Sequence, residues 1–283
     1  MGLNPRGLEF LTALDLPLGD VATLGRQEAH GLSPEAVASL LGSPMAVGSF
    51  AEPILERLGA TSVTSIDASD YEGATMVVDL NEPIDDGLRQ RFDTVIDGGT
   101  LEHVFNFATG FVSAMQMVKL GGWLVHILPT NQAAGHGFYQ LSPEVFFRVL
   151  SPANGYRLRC VLLREETVKG VWRKVLDPDA VGHRIQFRTV AETYIYVAAQ
   201  RLDDRQIMSA WPQQSDYESE WARDDREQWA VSVPHWRQAA ARVVPERIQS
   251  RLRGLSTRMS REDLPPLGQR LTKECLDLAF PSA

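Results

Sequence analysis

Two short stretches of this sequence carry side chains able to move protons near neutral pH. Glu102 and His103 are adjacent in GTLEHVFNF, and His136 lies between two glycines in AAGHGFYQ, three residues before Tyr139. An imidazole, with an unperturbed pKa of about 6.5, suits a general base at pH 7. His103 could equally cap the helix that follows it; His136, flanked by glycines, reads as a loop residue open to a ligand. Asn131, Phe138 and Tyr139 around it are candidates for a substrate wall. A third set is Asp67, Asp79 and Asp97, each just after a short apolar run. A carboxylate past a strand end, in the crevice of an α/β sheet, is placed to accept hydrogen bonds from ribose hydroxyls. Any one such Asp is equally at home in a turn or cap, but three in succession at one edge point to a ligand. Asp97, Glu102, His103 and His136 could also offer oxygen and nitrogen ligands to Mg²⁺. Nothing in their spacing demands it, and no metal is assigned.

An alternation of short apolar strands and amphipathic helices positions these residues. Strands are expected at Val21 to Gly25, Ser62 to Ile66, Thr75 to Val78, Phe92 to Ile96, Trp123 to Leu128, Arg157 to Leu163 and Thr193 to Ala199. Helices are expected at Arg6 to Leu14, Ala51 to Leu58 (stopping at Gly59), and after the cap-Pro-acid openings Ser33-Pro34-Glu35 and Ser142-Pro143-Glu144. Phe107, Phe111, Met115 and Val118 recur at helical spacing, and Gly121-Gly122 reads as that helix's stop. The pattern predicts a doubly wound, mostly parallel Rossmann-like α/β sheet with helices on both faces and an antiparallel final strand. The segment holding Lys169, Trp172, Arg173 and Lys174 reads as an excursion over the active-site face. Residues 1–200 form this domain. Residues 201–283, with Trp211, Trp221, Trp229 and Trp236 and a helical pattern from Arg237 to Leu252, read as a helical extension that braces the sheet's helices or offers a dimer face.

Of the net charge of −8, all falls in residues 1–200, which carry 15 basic and 23 acidic side chains; residues 201–283 carry 13 of each. An acidic main domain argues against a nucleic-acid partner, whose affinity rests on Lys and Arg at phosphates. No apolar run approaches a membrane span. Cys160 and Cys275 lack metal-ligand spacing and are too few for a disulfide framework, so a reducing cytoplasm is the expected compartment. G-x-S-x-G and G-x-x-x-x-G-K-[ST] are absent, which removes the common serine-hydrolase and P-loop readings. The sequence after Leu24, GRQEAHG, does not match the G-x-G-x-x-G of a nicotinamide site.

The order of elements, with IDASD, VVDLN, FDTVIDGGTLEHV and MVKLGGWLVHILP, resembles the class I S-adenosylmethionine-dependent methyltransferases over about residues 18–200. The segment HGFYQLSPEVFFRVL is similar to a subgroup of them. By that resemblance Asp67 and Ala68 hold the cofactor's ribose, Asp79 and Leu80 flank the adenine, and Asp97 and Gly98 line the methionine end and the substrate mouth. Gly25, Arg26 and Gln27 form the first loop, where the family usually carries an acid and several glycines; this chain keeps only Gly25. Arg26 could pair with the cofactor's carboxylate instead. The implied activity is methyl transfer from S-adenosylmethionine to a hydroxyl or amine of a small molecule, a sugar or secondary metabolite, with Glu102, His103 and His136 as catalytic residues. Two alternatives stay open: transfer or cyclisation of the aminocarboxypropyl arm, and a non-catalytic module that has lost the cofactor.

Overall fold

The computed structural model describes residues 2–181, 183–215, 264 and 266–277. Helix α1 (Pro5–Leu14) precedes β1 (Gly19–Leu24), α2 (Pro34–Leu41) and α3 (Glu52–Arg57). Then come β2 (Ala60–Asp67), β3 (Met76–Val77), β4 (Phe92–Asp97), α4 (Phe107–Met117), β5 (Val118–Asn131) and α5 (Pro143–Val149). β6 (Tyr156–Glu165), β7 (Trp172–Lys174), α6 (Pro178–Val181), β8 (Thr193–Arg201), β9 (Pro266–Gly268) and α7 (Lys273–Asp277) complete the described chain. One nine-stranded sheet takes the order β3-β2-β1-β4-β5-β8-β6-β7-β9.

The chain winds outward from β1 to β2 and β3, returns to β4 beside β1, and winds the other way to β5. The direction therefore reverses between β1 and β4, and ligands of open α/β sheets bind in the crevice outside such a switch point. Strands β1 to β5 pair in parallel; β8 runs antiparallel between β5 and β6, and β7 and β9 extend the far edge with further antiparallel pairing. "Mostly parallel" thus describes the half around the switch point, not the whole sheet.

Alternation along the strands sorts side chains onto two cores. Val21, Ile96 and Val125 pack with Leu8, Phe10, Val37 and Ile54 from the α1–α3 side. Ala22, Val95 and Leu124 pack with Phe111, Met115 and Phe146 from α4 and α5. Helices cover both faces, as the alternation of elements requires.

Three expectations change. Helix α4 ends at Met117, and Gly121-Gly122 lie within β5, where the pairing with β4 shifts register between Phe92 and Thr94. The glycines accommodate that irregularity rather than stopping the helix: Gly121 has φ +80°, and a Cβ on Gly122 would meet the Asp93 carbonyl oxygen at 2.5 Å. The supposed excursion contains β7, and Trp172 is fully buried against Phe10 and Tyr196, so large apolar area overrides a loop reading. The C-terminal segment is not only helical, since β9 pairs with β7. Trp211 is exposed, so it braces nothing among the described residues; Trp221, Trp229, Trp236 and the helix expected from Arg237 to Leu252 lie outside them.

Candidate active site at the carboxyl edge of the sheet

Asp97 closes β4 and faces inward. Its Oδ1 accepts from the backbone N–H of Thr100 (2.9 Å) and Leu101 (3.3 Å), and its Oδ2 meets His126 Nδ1 on β5 at 2.9 Å. Neither side chain is exposed. Thr100 Oγ1 in turn donates to the Leu24 carbonyl at the end of β1. These bonds fix a single 3₁₀ turn, Leu101–His103, over the switch point. His126 is buried against Phe111 and Phe146; its Nδ1 is paired, while Nε2 has no hydrogen-bond partner among the described residues.

That turn brings Glu102 to the loop after β5. The Glu102 carbonyl accepts from Phe138 N (2.8 Å), and Gly137, at φ +76°, sits so close that a Cβ would meet the same oxygen at 2.7 Å. Glycine is required there both by the left-handed backbone and by the contact. His136 follows a turn closed by its own N–H to the Ala133 carbonyl. The result is a cluster: His136 Nε2 lies 3.3 Å and His103 Nε2 3.8 Å from Glu102 Oε1, with the two rings 5.3 Å apart. Glu102 is fully buried, while the side chains of His103 and His136 are 41% and 38% exposed. The carboxyl is a floor beneath two half-open imidazoles.

Burial works against charge on both Glu102 and His103. Burial, and then the neighbouring Asp97 charge, push the Glu102 carboxyl up to about 8. Burial, and then His136, hold His103 below its usual value. Both shifts oppose what mutual charging would produce, and neither Glu102 oxygen accepts a hydrogen bond from a described residue. Burial also raises Tyr194, whose ring packs edge-on to His136, to about 12.

Around the cluster, the rings of Phe105 and Phe138 meet edge to face at 5.7 Å and both are exposed. Tyr139 donates its hydroxyl to the Phe105 carbonyl (2.6 Å), tying the two loops again. Asn131 stands apart, its Nδ2 donating to Thr189 Oγ1.

On the β1–β2 side, Gly25 takes φ +70° and donates its N–H to the Ile66 carbonyl, turning the chain sharply after β1. Asp67, half-buried at the end of β2, accepts from the Arg26 N–H at 3.2 Å and has exposed Ala68 beside it. The Arg26 guanidinium is occupied: Nε is 2.8 Å from Glu52 Oε1, Nη1 donates to the Glu72 and Gly73 carbonyls, and the group lies 3.8 Å over the Phe50 ring. Gln27 is buried, donates to the Leu24 carbonyl and leaves Oε1 without a described partner; a Cβ on Gly98 would run into that oxygen. Asp79 is exposed and accepts from Asn81, with Leu80 buried behind it.

Of the residues singled out from sequence, the fold gathers Glu102, His103, His136, Phe138 and Tyr139, and it sets Gly25, Asp67 and Gly98 along the same sheet edge. It turns Asp97 away from the surface, engages Arg26 with protein groups and places Asn131 aside. Sequence reading missed the Asp97–His126 pair, Thr100 and Phe105. The pair had a signal: aligning TVID with WLVH as parallel neighbours sets Asp97 opposite His126.

No protein-family model matches the chain, and no curated protein matches it in sequence. Some solved structures are similar to it at low identity and low TM-score. A candidate methyltransferase from Bacillus halodurans has 14% identity and a TM-score of 0.40 over 71% of this chain and 100% of its own. The 1,6-didemethyltoxoflavin-N1-methyltransferase of Burkholderia thailandensis, solved with S-adenosylhomocysteine, has 14% and 0.38 over 70% and 78%. A 16S rRNA (adenine(1408)-N(1))-methyltransferase from Catenulisporales acidiphilia has 12% and 0.36 over 73% and 95%.

Proposed function

We propose that this chain is an S-adenosylmethionine-dependent methyltransferase acting on a hydroxyl or amine of a small molecule. The observation that carries the reading is one of placement: a proton-handling cluster, Glu102–His103–His136, stands at the β1–β4 switch point, on the same sheet edge as the Gly25 turn and the Asp67 carboxylate. The residues fit the adenosyl half of the cofactor. Asp67 has acceptor capacity left for two ribose hydroxyls, and Leu80 offers a buried apolar neighbour for the adenine. At the other half, the orphaned Gln27 Oε1 is a buried acceptor of the kind an ammonium group satisfies. When bound, such a cofactor supplies an electrophilic methyl carbon to an in-line nucleophile.

The chain's own residues then have distinct tasks. The exposed Phe105 and Phe138 rings hold a flat apolar part of the acceptor at the mouth. The cluster deals with the acceptor's proton: His103, kept neutral by burial, has Nε2 free to receive it, and the half-open rings let it leave to water. Asp97 and His126 act beneath, as positioning residues for the turn that carries Glu102 and His103. The acidic main domain favours a small-molecule acceptor over RNA. Two unpaired cysteines suit a cytoplasmic setting, and among the described residues no helix is long and apolar enough to cross a membrane.

Calorimetric titration with S-adenosylhomocysteine tests the reading, followed by acceptor screening with product identification. Micromolar binding and release of S-adenosylhomocysteine on turnover support it; methylthioadenosine as product would replace it with aminocarboxypropyl chemistry. A second reading, a module that keeps the fold without the cofactor, draws on Arg26 and Gln27. The guanidinium is spent on Glu52 and the amide fills the space beside Gly98, where a glycine loop would leave room. Absence of any binding would establish that second reading.

A further inference from the structure

We propose that Glu102, His103 and His136 form a binding site for a divalent transition-metal ion, with one carboxylate oxygen and two imidazole Nε2 atoms as ligands. One ligand atom from each residue lies within 4.8 Å of the others. Two ligands bound at about 2.1 Å to a tetrahedral centre stand about 3.4 Å apart. The two imidazole nitrogens are 3.3 and 3.8 Å from the same Glu102 oxygen, so the set needs little adjustment to share an ion. His136 Nε2 also sits off the line a hydrogen bond to that oxygen requires, since Glu102 accepts none from the described residues. The two atoms converge as ligands of a common point do, not as donor and acceptor.

The second observation is Glu102 itself. A fully buried carboxyl group with both oxygens unpartnered is costly, and proteins retain such a group where a ligand completes it. Here one of the unpartnered oxygens, Oε1, lies 3.3 and 3.8 Å from the two half-open histidines of the cluster. The backbone holds the set from both sides: the Leu101–His103 turn is pinned by Asp97, and Phe138 N–H and Gly137 clamp the Glu102 carbonyl against the His136 loop.

The donor set indicates the ion's class. Mg²⁺ takes oxygen ligands and keeps its waters, whereas two imidazoles and one carboxylate suit Zn²⁺, Mn²⁺, Fe²⁺, Co²⁺ or Ni²⁺. Three protein ligands and two exposed rings leave coordination positions facing the mouth, the arrangement of a site that takes a substrate atom rather than a closed structural site. An acceptor oxygen or nitrogen placed there would be acidified by the ion, which in the loaded site would replace His103 Nε2 as the means of removing the acceptor's proton. The site follows from ligand geometry alone and does not depend on methyl transfer.

The test uses the full, untagged chain, stripped with a chelator and titrated with Zn²⁺ and Co²⁺ in the absence of any cofactor. One equivalent should bind with micromolar or tighter affinity, the Co²⁺ form should show visible d–d absorption of four- or five-coordination, and a thousandfold excess of Mg²⁺ should not displace it. His103→Ala, His136→Ala and Glu102→Gln should each weaken binding by no less than the roughly 10- to 100-fold that loss of a supporting contact costs. Circular dichroism of each variant separates loss of a ligand from loss of fold; His103 and His136, being half-exposed, provide the arm least exposed to that ambiguity. Failure of the wild type to bind stoichiometrically, or equal affinity in a folded His103→Ala/His136→Ala double variant, overturns the proposal. Because S-adenosylhomocysteine titration is a separate measurement, metal binding and the methyltransferase reading can fail independently.

Discussion

Asp97 and His126 meet at 2.9 Å across paired positions of neighbouring parallel strands, and neither side chain reaches solvent. The acid at the end of β4 is therefore an internal brace. It spends one oxygen on the N–H groups that start the Leu101–His103 turn and the other on a histidine of β5. The turn, not the acid, presents chemistry to the surface.

Asp97→Ala should accordingly be a stability variant. Removing one partner of a buried hydrogen bond leaves the other unsatisfied, at a cost of about 1–3 kcal/mol, and two backbone N–H groups lose their acceptor as well. Urea unfolding would measure it. A stability change below about 0.5 kcal/mol, together with weakened S-adenosylhomocysteine binding, would instead return Asp97 to the cofactor-lining role that the resemblance implies.

Asp67→Ala should do the opposite. Its carboxylate is half-buried and receives two long backbone hydrogen bonds, from Arg26 N–H at 3.2 Å and Ser69 N–H at 3.4 Å, so the fold leans on it little. The loss should fall on S-adenosylhomocysteine affinity, by about 1.5–3 kcal/mol, the range for hydrogen bonds to a charged group. Calorimetry returning an unchanged dissociation constant would remove Asp67 from the site.

Arg26 distinguishes a sequence expectation from what the fold does with it. Its guanidinium is held by Glu52, two carbonyls and the Phe50 ring. Arg26→Ala should cost about 1 kcal/mol of stability, from a partly exposed ion pair and a cation–π contact, with cofactor-product affinity unchanged. An affinity loss of tenfold or more would mean that the side chain leaves Glu52 to bind the cofactor.

Local patterns reveal most of this fold. Val21-Ala22 and Val95-Ile96 show the alternation of strands covered on both faces, Ser33-Pro34-Glu35 and Ser142-Pro143-Glu144 open the helices they should, and Gly25 marks the turn after β1. What escaped was set by tertiary pairing. Gly121-Gly122 look like a helix stop until β5 is seen to begin at Val118 and lose register with β4. Trp172 looks like loop until Phe10 and Tyr196 bury it. At the site, residue types named the candidates, but only the contact between two loops separated in sequence by about thirty residues makes Glu102 a buried neighbour of His136. No spacing rule encodes that distance.

His103→Ala and His136→Ala should lower turnover far more than S-adenosylhomocysteine affinity. Loss of a positioned proton acceptor typically costs roughly 10²- to 10⁴-fold in rate, and the two rings pack on each other and on Tyr194. Steady-state kinetics on an identified acceptor, set beside calorimetry, would show the split. A variant that loses affinity and keeps its turnover number would reverse the roles assigned to the two sides.

The pH dependence of stability in chelator-treated protein should carry the signature of Glu102. Its carboxyl titrates near the ordinary 4.5 when unfolded and at about 8 when folded, so between those values the folded state binds the extra proton. Stability from this group is full below pH 4.5 and declines as pH rises toward 8. His103 works in the opposite sense. Burial lowers its folded value, so its contribution is full above the unfolded value of 6.5 and is lost as pH falls through the folded value. The two trends overlap, and Glu102→Gln separates them by removing only the first. Between pH 5 and 8 the Tm of the wild type should fall relative to that of Glu102→Gln, the gap widening steadily with pH. Parallel Tm curves for the two proteins would mean that Glu102 ionises in the folded state as it does in the unfolded chain, and that the cluster carries a buried negative charge at neutral pH.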